Sequence, residues 1–172
     1  IRIANQYSLA TNSSSIRVDA TLSNLSQSSS LTNVRYWYGA GDDWVNNTDV
    51  PNKTRGNLDE VGFRALSAAG DSSNAIRISD DSQAVIFYSP SAGVSTSFGY
   101  CCSFSNSFSQ NPQGPYRAGA VADGISTYDG RSNWDGSYAI FLRYPDIAPQ
   151  ASAGSTYLYT TGSVGLPTAA SW

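Results

Sequence analysis

From position 16 to position 23 the chain alternates without a break. Ile16, Val18, Ala20 and Leu22 are apolar, and Arg17, Asp19, Thr21 and Ser23 are polar. Successive side chains of a strand point to opposite faces, so this period of two describes an antiparallel strand buried on one side and wet on the other. The pattern recurs in short runs along the chain. Residues 1–9 read as an edge strand, and Val34, Tyr36 and Tyr38 alternate with Arg35 and Trp37. Residues 62–66, 75–78 and 84–88 (AVIFY, placed centrally) follow. Next come 97–104, with Phe98, Tyr100, Cys102 and Phe104 on one side, then 138–144 (YAIFLRY) and 156–160 (TYLYT). Turn residues separate the runs, as at Gly70-Asp71, Asp123-Gly124 and Asp129-Gly130.

Composition closes off the helical alternative. Charged residues make up 13% of the chain, where about a quarter is usual, and Glu60 is the single glutamate. A helix-rich protein draws on Glu and Lys as well as Ala and Leu, and this chain has one Glu and one Lys. Aromatics at 12%, with Val, Ile and Thr, suit half-buried strands. About nine short strands with frequent turn signals predict an all-β fold, an antiparallel β-sandwich with long ordered loops and little or no helix. Immunoglobulin-like and jelly-roll topologies both fit. Residues 1–163 read as one domain and 164–172 as a C-terminal tail or donor segment, uncharged and ending in Trp172.

Several function classes drop out. With no His in the chain, a Ser-His-Asp triad, a Cys-His pair and every His-ligated zinc site are impossible within it. Paired carboxylates would have to be Asp neighbours such as Asp42 and Asp43, which rarely face one scissile bond, so no enzyme is expected. A net charge of −3 with scattered Arg disfavours nucleic acid. No apolar run approaches the roughly 18 residues that span a bilayer. A start at Ile1, without Met, suits a mature or excised segment.

Residues 34–60 hold the longest irregular stretch. After Gly39 they follow no period, and they carry Asp42, Asp43, Asp49, Trp44, Lys53 and Arg55. The expectation is an ordered loop anchored on its rings that presents carboxylates, amides and cations to solvent. Asp42, Asp43 and Asp49 are a candidate calcium set, calcium being a hard cation held by loop oxygens, although no EF-hand spacing is present. The alternative is that they cap turns and pair with Lys53 and Arg55.

Cys101 and Cys102 are adjacent, and the chain has no other Cys. Consecutive Cα atoms lie about 3.8 Å apart, whereas a disulfide usually spans about 4.4–6.8 Å, so a vicinal bridge needs a distorted peptide. An oxidised vicinal pair is the preferred expectation, bridges between chains come next, and the reduced state suits a cytosolic protein that the composition disfavours. Sequons at Asn12, Asn24, Asn46 and Asn52 fall in expected loops and are glycosylation candidates. Trp37, Trp44, Trp134 and Trp172 are candidates for stacking on sugars or docking on a partner, with core packing as the ordinary alternative.

Three pieces carry a resemblance: GDDWVNNTDVPNKTRGN, CCSFSN, and the closing DGSYAIFLRYPDIAP with TYLYTT. Together they resemble β-sandwich modules of large secreted surface or adhesin-type proteins of bacteria and protists. The resemblance implies an extracellular, cell-surface structural module of a filament, appendage or adhesin, glycosylated and bound to copies of itself or to neighbouring modules. The competing expectation is a carbohydrate-binding module that takes glycans on the Trp37/Trp44 loop.

Overall fold

A computed structural model describes residues 1–11, 13–59, 61–66, 73–100 and 135–163. Among them lie ten strands: β1 (Arg2–Leu9), β2 (Ser15–Ser23), β3 (Arg35–Ala40), β4 (Asn52–Asp59), β5 (Gly62–Ala65), β6 (Ala75–Ser79), β7 (Gln83–Tyr88), β8 (Val94–Tyr100), β9 (Gly136–Arg143) and β10 (Ser152–Ser163). Seven form one sheet in the order β1-β2-β10-β7-β6-β4-β5, and three form a second in the order β3-β9-β8. Every pairing is antiparallel. No described residue is helical, so the fold is all-β and sandwich-like.

The alternation in β2 does what its period requires. Val18, Ala20 and Leu22 are buried, while Arg17 and Asp19 form a 2.9 Å ion pair on the outer face. That pair is exposed and contributes little to stability. In β6 and β7, Ile76 and Ile78 face the second sheet together with Val85 and Phe87, their cross-strand partners. β9 is the hub of the small sheet, with every residue but the last buried. Its Tyr138 and Ile140 join Val18, Ile76, Ile78 and Tyr157 in the main core, and Leu142 packs with Leu22 and Ile147 at one end. Aromatic rings thicken the seam: Phe87 meets Tyr138 edge-on at 5.3 Å and Tyr159 at 4.7 Å, in the geometry that ring quadrupoles favour.

The wide sheet also carries apolar packing on its outer face. Leu58, Ala75 and Ile86 cluster there under Phe63 and Tyr88, with the Arg77 guanidinium 5.0 Å from the Phe63 ring centre. Gly56 makes this possible, because a Cβ on it would lie 2.6 Å from the Phe63 ring.

The long irregular stretch is much shorter than the sequence suggests. β3 runs to Ala40 and β4 begins at Asn52, leaving only residues 41–51 between them. Lys53 and Arg55 are therefore not loop cations on the surface. They sit in a strand opposite Ile78 and Ile76, on its core face, and are 0% and 3% exposed. Trp44 does not anchor the excursion either, since its ring is 62% exposed. Val45, which is buried in the core, does so, and paired backbone bonds between Val45 and Thr48 close the turn.

Candidate functional site

Two places in the fold depart from ordinary sandwich construction. The first lies where the small sheet's strand ends meet β4. Asp43 follows β3 and Asp135 precedes β9, while Lys53 comes from the opposing sheet. The Lys53 ammonium forms an ion pair with Asp43 Oδ2, and both side chains are fully buried. Lys53 Nζ also donates to Pro51 O at 3.1 Å, and Asp43 Oδ1 accepts the Gly136 N–H at 3.2 Å. Asp43 Oδ2 has no partner of proper hydrogen-bond geometry, although it lies against the ammonium. Asp42, Asp43 and Asp135 bring carboxylate oxygens within 4.8 Å of one another, with Asp42 and Asp135 on the exposed rim. Burial pushes the Lys53 ammonium down to about 8, against the pull of the Asp135 charge. A desolvated amine is driven towards its neutral form in this way.

This geometry corrects the calcium set. Asp42 and Asp43 do come together, but their third member is Asp135, and Asp49 stands apart on the surface. The cluster already holds a cation, the Lys53 ammonium. Beside it, Arg55 Nε donates to Thr96 Oγ1 at 3.3 Å, so a second β4 cation also reaches across to the small sheet.

The second place is β1. It ends the wide sheet, and all eight of its residues are exposed. Ile3, Asn5, Tyr7 and Leu9 stand opposite Leu22, Ala20, Val18 and Ile16, so they share the face that elsewhere carries the core. The wide sheet thus overhangs. Ile1, Ile3, Tyr7, Leu9 and Ile16 are left between 41% and 66% exposed. Among the described residues, polar ties reach this row from Tyr38 Oη to Asn5 Oδ1 at 2.6 Å and between the Tyr7 and Tyr157 side chains.

The other sequence candidates fall as follows. Asn24 is 2% exposed, and its Nδ2 points to Ser29 O, Ile147 O and Ala148 O at 2.8–3.1 Å. The atom that would carry a glycan is turned inward as a clamp, so Asn24 is a structural residue and not an acceptor in this fold. Asn46 and Asn52 are exposed. Asn46 donates to Asp80 Oδ2 at 2.8 Å, and the Gln83 and Ser82 amides, with Asn46 after them, hold the Asp80 carboxyl down at about 2. Trp37 is half-buried and packs against the main core, while Trp44 is exposed. Asn12, Cys101, Cys102, Trp134, Trp172 and the 164–172 tail lie outside the described residues.

Sequence reasoning missed Asp135 and the burial of Lys53. One signal was present: Lys53 is the chain's single lysine beside nine arginines. Compared with known protein families, curated proteins and solved structures, the chain matches none of them.

Proposed function

We propose that this chain is a self-associating structural module of an extracellular surface assembly, a filament, appendage or adhesin, whose copies pair through β1. The observation that carries this reading is the overhanging edge. Sheet edges present unpaired N–H and C=O groups, and proteins that stay monomeric blunt them with lysine, proline, inward charge or a covering segment. β1 has one charged residue, Arg2 at its end, and no proline. Its core-side face also carries an apolar row that the other described residues leave exposed. A second β1 laid antiparallel and centred on Gln6 sets Ile3 against Leu9 and Asn5 against Tyr7. That register keeps both apolar rows on one face and joins the two wide sheets into one. Cross-strand apolar pairs of this kind add to the main-chain bonds, and the contact is isologous. Exposed Asn46 and Asn52 and the low charge are in keeping with a glycosylated surface location.

Sedimentation velocity over rising concentration tests this reading. The natural chain is expected to pass from monomer to dimer. A double variant, Ile3→Lys with Leu9→Lys, is expected to remain monomeric with an unchanged circular dichroism spectrum, because both positions are on the surface. A natural chain that is monomeric throughout, or a variant that associates equally well, overturns the proposal.

A further inference from the structure

We propose that Lys53 and Asp43 condense into an intramolecular amide, Nζ to Cγ, that locks the β3–β4 connection onto β4. The pair has the features such a bond needs. The amine and the carboxyl are in contact and both fully buried, Lys53 in β4 and Asp43 in the connection after β3, where Gly136 of β9 donates to it. A fixed contact of this kind replaces a bimolecular encounter with an intramolecular one, worth several powers of ten in effective concentration. The dry surroundings favour the neutral amine and the neutral acid over the ion pair, and those are the reactive forms. The downward push on the Lys53 ammonium points the same way.

The two carboxyl oxygens are already differentiated. Oδ1 accepts the Gly136 N–H, which places a donor where negative charge develops when Nζ attacks Cγ. Oδ2 has no such donor and is the oxygen that leaves. Asp135, on the rim near both groups, is placed to accept a proton from Nζ and hand it to Oδ2. The balance closes without any other reagent. The ammonium and carboxylate together hold three protons on nitrogen. One remains on the amide nitrogen, and two depart with Oδ2 as water. The Nζ–Cγ bond forms, the Cγ–Oδ2 bond breaks, and Asp135 ends as it began. No oxidation state changes.

Because Lys53 is the only lysine, the product is easy to read. Trypsin acting on the denatured chain cuts after Arg35 and Arg55. The expected peptide is therefore 36–55, intact at Lys53, lighter than its sequence by one water, and unlabelled at Lys53 when the denatured chain is treated with an amine reagent before digestion. A peptide of full sequence mass that cleaves and labels at Lys53 overturns the proposal, as does a water lost from some other peptide. Asp43→Ala removes the acceptor but leaves a buried cation, so that variant can fail by not folding. Asp135→Asn alters an exposed residue and supplies the second arm. It is expected to fold, shown by circular dichroism, and to carry an unmodified Lys53. A folded Asp135→Asn chain that still shows the full loss of water overturns the role given to Asp135. None of these outcomes depends on whether β1 associates.

Discussion

Asp43→Ala is expected to destabilise the domain by about 3–5 kcal/mol, because it strands the Lys53 cation in a dry interior. Against a typical total of about 5–15 kcal/mol, such a loss approaches unfolding. The cause is asymmetry. Joined as an amide or held as an ion pair, Lys53 and Asp43 leave no net charge buried, whereas Lys53 alone retains the full cost of taking a cation out of water. Both partners here are 0% exposed, so little solvent is present to soften the effect. Urea denaturation followed by circular dichroism measures it. Removing both charges, with Asp43→Leu and Lys53→Met, is expected to recover much of the loss. A single variant as stable as the natural chain would show that Lys53 is not enclosed as described.

Ile140→Ala is expected to cost about 2–5 kcal/mol by leaving a cavity between the sheets. Ile140 is 0% exposed and lies in β9, the central strand of the small sheet, between Tyr38 and Thr96 of its two neighbours. Its side chain belongs to the cluster that joins Val18, Ile76 and Ile78 of the wide sheet. Strands on both sides are hydrogen-bonded to β9, so the backbone has little room to collapse into the void. Guanidinium or urea midpoints at unchanged m-value are the appropriate reading.

How far each element was legible follows from what its side chains face. β2, β6, β7 and β9 read directly, because their apolar residues recur at the strand period or fill both faces. β4 did not. Its inward positions include Lys53 and Arg55, residues whose charge ordinarily marks solvent, so a strand with cations on its core face looked like a loop. Asn24 misled in the same manner, since a sequon specifies residue types and says nothing of which way the amide turns. The acid–lysine cluster was legible only in part. Asp42 and Asp43 are neighbours in sequence, but Asp135 arrives from more than ninety positions away, as the Gly136-to-Asp43 bond also does. Only the pairing of β9 with β3 brings those ends together. The edge position of residues 1–9 was anticipated, but their exposure on both faces depends on how far the small sheet extends, which no local pattern encodes.

Amide hydrogen exchange at two protein concentrations tests whether copies of this chain meet along β1. Outward-facing amides of a free edge strand exchange rapidly, and they slow when a second strand accepts their hydrogen bonds. Amides within β1 are expected to become protected as concentration rises, while those of β9, already enclosed, do not change. Exchange across β1 that is equally fast when dilute and when concentrated would contradict that contact.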